Sequence, residues 1–80
     1  MKVISNDNTF GRAFDIMREN YETLYIRRSL WKDNEILNLK YCENFNDLRI
    51  FKNIDMITFL WYPSQIDILS KDWEIVEMDK

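Results

Sequence analysis

Arg27 and Arg28, followed by an indole at Trp31, are the first residues in this chain whose types suit a specific recognition chemistry. Guanidinium forks meet phosphate oxygens bidentately, and an indole face stacks on a flat base or an arginine plane. A second group follows Pro63. Ser64 and Gln65, with the free N–H groups of a helix start, can hold an anionic or ribose oxygen; Asp67 opposes a phosphate there but accepts from ribose hydroxyls. Trp61, Tyr62 and Trp73 make a third group, flat rings on which a base can stack. Each group also has a structural reading: solvent-facing arginines at a strand end with Trp31 as a core plug, a helix-start role for Asp67, and a core position for Trp73, the core being favoured for Trp73. Strand alternation sends Arg27 and Arg28 to opposite faces, so at most one of them lines a given pocket.

Catalytic chemistry is poorly supplied. With no histidine, the usual general base and the histidine triads are missing. One cysteine and no histidine leave no Cys/His zinc site, and one glycine excludes a P-loop or a dinucleotide-binding glycine fingerprint. Carboxylates are plentiful, but their spacing singles out no acid–base pair. The chain is read as a binding protein, without catalytic residues, metal or cofactor.

The eighty residues form one domain, 1–80, with no linker. A chain this short buries only about 60–65% of the surface its unfolded form exposes. At 46% hydrophobic and 15% aromatic it carries more apolar bulk than one small core hides, so an oligomer is expected. A net charge of −3 disfavours a general nucleic-acid binder, and no apolar run is long enough for a membrane helix. The lone Cys42 fits a reducing cytosol, and the acidic residues Glu74, Glu77 and Asp79 read as a solvated tail.

Periodicity supplies the elements that must position these groups. Phe10, Ala13, Phe14 and Met17 share one helical face, so a helix runs to about Asn20, capped by Asn8 or Thr9. Gly11 is expected to permit close packing in its first turn. Met1–Ser5 reads as a short strand or a frayed start. Residues 21–28 and 35–41 read as strands joined as a hairpin around Trp31, and 48–51 as a strand or a helical turn. Lys52-Asn53 reads as a break before a central strand over 54–61. Pro63 ends that strand, Ser64 and Asp67 frame a short helix, and 73–76 is the last strand. The sum is an α+β domain: an antiparallel sheet of four or five strands with an N-terminal helix and a short C-terminal helix.

The run Trp61-Tyr62-Pro63-Ser64-Gln65-Ile66-Asp67-Ile68-Leu69-Ser70-Lys71-Asp72-Trp73 resembles the C-terminal signature of the Thoeris anti-defence proteins of the second type, a family of small phage-encoded proteins. Phe10-Gly11-Arg12-Ala13 is similar to that family's helix start, and Ile26-Arg27-Arg28-Ser29-Leu30-Trp31 falls where it has an apolar residue, a basic residue and a Gly-Trp-Asn-Gly corner. Here Leu30 replaces the glycine before the tryptophan and Lys32-Asp33 replace Asn-Gly after it, which leaves a reshaped pocket or none. The resemblance implies a homotetramer in the cytoplasm of an infected host cell. It also implies sequestration, without cleavage, of a cyclic nucleotide alarm signal: a cyclic ADP-ribose isomer first, a cyclic dinucleotide second. On this reading the aromatic residues stack the base, Arg27 or Arg28 meets phosphate, and Ser64, Gln65 and Asp67 meet ribose. A protein–protein inhibitor of a bacterial immune nuclease, of anti-CRISPR type, is the alternative. A structural subunit without a ligand site is a third reading.

Overall fold

Most of the buried apolar residues meet on one side of one sheet. The computed structural model describes residues 1–78 and contains strands β1 (Lys2–Asn8), β2 (Leu24–Arg28), β3 (Glu35–Cys42), β4 (Asp47–Ile54), β5 (Ile57–Leu60) and β6 (Trp73–Glu77). Helix α1 (Phe10–Glu19) follows β1, and the short α2 (Gln65–Leu69) lies between β5 and β6. The strand order is β1-β6-β2-β3-β4-β5, antiparallel throughout. Residues directly opposite in a ladder share a face. Ile26 stands opposite both Leu37 and Ile75, and Leu39 opposite Ile50, so these side chains line one face, where Ala13 and Met17 of α1 cover them. The expected hairpin between β2 and β3 is present.

The α1 start follows the sequence. Thr9 caps it, its hydroxyl oxygen accepting from the Arg12 N–H at 3.2 Å, and Asn20 closes it. Arg18 sits in the last turn, where a cation suits the helix dipole. The expectation for Gly11 is corrected: a Cβ built there meets nothing within 4 Å, so no close packing requires glycine.

The sheet has six strands rather than four or five, because both ambiguous segments are strands. β1 pairs with β6, through two register irregularities and a positive φ of 57° at Asp7, and Asn8 is fixed by donating its amide to the Trp73 carbonyl at 3.2 Å. Residues 48–51 belong to β4, whose full eight-residue ladder with β3 decides what local periodicity left open. Lys52 and Asn53 are not a break. Lys52 lays its Nζ 3.9 Å over the Trp31 ring and 3.9 Å from Glu35, while the Asn53 amide donates to the Asn38 Oδ1 at 2.7 Å, so both polar side chains are satisfied within the strand.

The break falls at Asp55-Met56, a two-residue turn with positive φ at both positions, 47° and 71°. β5 is therefore an edge strand, not a central one, leaving Ile57 65% and Phe59 42% exposed. Glu74 is also corrected. It lies within β6 and pairs with Arg27 at 2.8 Å instead of sitting in a solvated tail; Asp79 lies outside the described residues.

Glycine occupies a helix position that does not need it, while Met56 adopts a left-handed conformation that favours glycine. Gly11→Ala and Met56→Gly are each expected to stabilise the fold by up to about 1 kcal/mol, whereas Leu37→Ala in the core costs about 2–5 kcal/mol. Urea denaturation midpoints of the three variants check the signs.

Candidate functional site

Three tryptophans from three parts of the chain meet on the helix side of the sheet. Trp73 is fully buried in β6; Trp31 comes from the β2–β3 corner and Trp61 from the segment after β5. Their rings meet edge to face in every pair: Trp31–Trp73 at 5.5 Å, Trp31–Trp61 at 6.2 Å and Trp61–Trp73 at 6.2 Å. Phe10 of α1 closes the group, 5.1 Å from Trp73 and 6.2 Å from Trp61. Edge-to-face pairing places positive ring edges against negative ring faces and so fixes orientation as well as burial. The core position favoured for Trp73 is the observed one.

The polar residues that follow Pro63 are organised by capping. Ser64 caps α2, accepting from the Asp67 N–H at 3.1 Å, and the Asp67 carboxylate accepts from the Ser64 N–H at 3.0 Å. Aspartate therefore completes the capping box that glutamate or glutamine usually makes. The Trp73 indole N–H donates to the Asp67 carbonyl at 2.9 Å, tying α2 to the aromatic group. Arg28 reaches the same helix, 3.5 Å from Asp67 and 3.1 Å from Asp72. Gln65 is exposed at the first position of α2.

Arg27 and Arg28 point to opposite faces, as alternation requires: the ladder places Arg27 opposite Glu74 and Arg28 opposite Trp73. Arg27 is 4% exposed, paired with Glu74 and donating to the Trp31 carbonyl, while its Nε has no partner among the described residues. Of the residues singled out in the sequence, Trp31 and Trp61 come into contact, and Arg28, Ser64 and Asp67 share one network. Arg27 lies under the corner, tied to the tryptophan group through the Trp31 carbonyl and outside the Arg28 network.

Beside Trp61 the surface opens into a cleft of about 350 Å³. Leu39, Leu48 and Ile50 of the sheet, Phe14 of α1, and Trp61 and Tyr62 make its apolar lining. Its charged members are Arg18, Arg49 and Asp47. Sequence reasoning missed Arg18 and Arg49. Arg18 was within reach, since it lies four residues after Phe14 on the same helical face. Arg49 was not, because its place depends on the β3–β4 register. Among the described residues no group of three or more potential ligands converges to hold a metal ion, and no helix is long and apolar enough to cross a membrane.

The family model for the Tad2-like, Thoeris anti-defense 2-like domain matches residues 8–76. The chain belongs to that family. The match runs from the end of β1 through β6, and so takes in α1, the tryptophan group and the cleft. No curated protein matches the chain. Membership in the Tad2-like family supports a role in countering Thoeris defence, the family being an anti-defence domain. Leu30 is 66% exposed, and the adjacent Trp31 packs on Trp61 and Trp73.

Arg28 and Asp72 make the network around α2 acid-sensitive. Burial alone would raise the Asp72 carboxyl, but hydrogen bonding and charge from Arg28, with the Ser29 hydroxyl and a backbone N–H, outweigh it and hold the group below its usual 3.8. A carboxyl lowered in the folded state contributes stability that is present above its unfolded value and lost as pH falls through the lower folded one. Asp72→Asn is expected to lower the urea midpoint at pH 7 and to shrink the further loss between pH 5 and about pH 2, which denaturation at the two acidic pH values checks.

Proposed function

We propose that this protein counters Thoeris defence by binding a cyclic nucleotide signal and holding it uncleaved. A cyclic ADP-ribose isomer is the first candidate and a cyclic dinucleotide the second. The observation that carries the reading is the cleft beside Trp61: its volume of about 350 Å³ falls in the range of small-ligand sites, and aromatic faces and arginines occur in one lining. Trp61 and Tyr62 provide faces for a base, and Tyr62, 77% exposed, is free to swing onto a ligand. Gln65 is available to ribose hydroxyls at the exposed start of α2.

Within this proposal the remaining polar residues act as supports. Arg28, Ser64 and Asp67 are engaged with one another, and Arg27 with Glu74 and the Trp31 carbonyl. They fix Trp31 and α2, and Trp31 in turn buttresses Trp61. Retention without cleavage agrees with the absence of histidine and with the pairing of Asp67, Asp72 and Glu74 to arginines. A homotetramer in the cytoplasm of a phage-infected cell completes the reading. Exposed Ile66, Ile68 and Leu69 on α2, beside Tyr62, support self-association, since a small domain seldom leaves so much apolar surface in water. A sponge acts on a dilute signal, so a dissociation constant near nanomolar, about −12 kcal/mol, is required, and a site completed between subunits could supply it.

Capture and release tests the reading. The protein is mixed with cyclic ADP-ribose isomers and cyclic di- and trinucleotides, freed of unbound ligand and heated, and the released compound is weighed by mass spectrometry. Intact release of one compound is expected, and Trp61→Ala should weaken its retention by roughly tenfold or more, the worth of one base–ring stack. Release of a cleaved product turns the reading toward an enzyme. No retention at micromolar protein sinks it for the ligands tested and leaves a protein target as the next candidate.

A further inference from the structure

The sheet has two edges, and only one of them is blunted. β1 forms the first, carries Lys2 and Asp7, and is broken by two register irregularities and the positive φ at Asp7. Charge and bulging of this kind keep an edge from pairing with another chain. β5 forms the other edge and has neither. No charged residue occurs from Met56 to Ile66, the ladder with β4 is regular, and the one proline, Pro63, comes after the strand.

The ladder fixes which backbone groups β5 leaves over. Asp55-Met56 is a two-residue turn, so Ile54 and Ile57 close it as a hydrogen-bonded pair. Alternation then turns the N–H and C=O groups of Ile57, Phe59 and Trp61 toward β4, and the Trp61 N–H donates to the Ile50 carbonyl at 3.0 Å. Thr58 and Leu60 present theirs to the open side, where no strand lies. The Thr58 hydroxyl is engaged within the sheet, donating to the Asn53 Oδ1 at 2.6 Å.

We infer that β5 is the contact strand of a twofold dimer, paired antiparallel with β5 of a second copy in a register centred on Phe59. The inference rests on the self-association in the proposed function and adds to it the segment that makes the contact. In this register Thr58 of each copy faces Leu60 of the other, so the outward N–H and C=O groups of both strands satisfy one another. The two Phe59 rings become a cross-strand pair on the helix side of the sheet, flanked on each side by Ile57 opposite Trp61. Asp55 falls opposite Pro63, so no like charges meet. Met56, Ile57, Phe59 and Tyr62 all lie exposed along this stretch. Four such side chains, on the order of 150 Å² each, supply most of the ~800 Å² per partner that a stable interface buries. Because β1 is blunted, strand addition closes at two copies and does not run on into a filament. Trp61 and Tyr62 also line the cleft, so Met56 and Ile57 of the second copy border that site.

The test follows wild type, Thr58→Pro, Phe59→Lys and Ile66→Lys by sedimentation velocity from low to high micromolar protein, with urea midpoints to establish that each is folded. Proline at position 58 removes only an outward N–H and leaves the β4 ladder intact, whereas lysine at 59 sets two cations face to face. Both should halve the molecular mass, and Ile66→Lys, on α2, should keep at least the dimer. By hydrogen exchange, the Thr58 and Leu60 amides of wild type should exchange at least about tenfold more slowly than those of the dissociated Phe59→Lys protein, while the Ile57 amide is protected in both. Phe59→Cys with Cys42→Ser should cross-link two copies on mild oxidation, since opposed residues of a non-hydrogen-bonded pair stand about 4.5 Å apart at Cα. An assembly that survives both β5 variants, or leaves Thr58 and Leu60 exchanging as fast as in Phe59→Lys, overturns the strand pairing while self-association stands. Reduction to a monomer by Ile66→Lys alone does the same. A wild type that is monomeric throughout overturns both, whatever ligand it captures.

Discussion

Trp73 is the residue on which the other parts of this structure depend. It lies in β6, between β1 and β2, with no exposed surface. Its ring meets Phe10, Trp31 and Trp61, and its indole N–H binds the Asp67 carbonyl. One side chain therefore sets α1 on the sheet, seats the β2–β3 corner, orients the cleft wall and anchors α2. Its backbone carbonyl also accepts from Asn8, which fixes the end of β1. A buried indole makes one hydrogen bond and large contact area at little rotamer cost, which suits a small domain that needs several elements fixed by few residues.

Charge is laid around that anchor in two ways. On the helix side, Arg28 draws Asp67 and Asp72 together and holds α2 against the corner; on the opposite side, Arg27 and Glu74 bridge β2 and β6 under Trp31. These pairs are largely shielded from water, so removing Arg28 leaves two shielded carboxylates without their cation. Arg18, beside the cleft, contrasts with them in having only an exposed i,i+3 pair with Asp15. In the proposed function the paired arginines keep the aromatic wall in place.

Much of the fold was legible because its signals are local. The spacing of Phe10, Ala13, Phe14 and Met17 gave α1, Thr9 gave its start, and Pro63, Ser64 and Asp67 gave α2. The errors arose where a residue's partner is distant in sequence. Lys52 and Asn53 look like loop residues until Trp31, Glu35 and Asn38 are brought beside them. The run 54–61 reads as one central strand, yet Ile54 ends β4 and 57–60 forms β5 at an edge, where only β4 pairs with it. Of the candidate site, Trp61 was visible as part of a signature and Tyr62 as an aromatic beside proline. Arg49 was invisible, since nothing near it in sequence marks it.

The sequence alone determined the α+β class, both helices with their caps, the β2–β3 hairpin, the lack of histidine-based catalysis and the resemblance that the family match bears out. These follow from backbone preferences and side-chain periods that act over a few residues. The tertiary structure decided the strand order, the edge position of β5, the pairing of Glu74 with Arg27 and the cleft between α1, β4 and the segment after β5. Each of these depends on which strands lie side by side, and that choice is made by burying the tryptophans together. A local pattern records that an indole must be buried, but not against what.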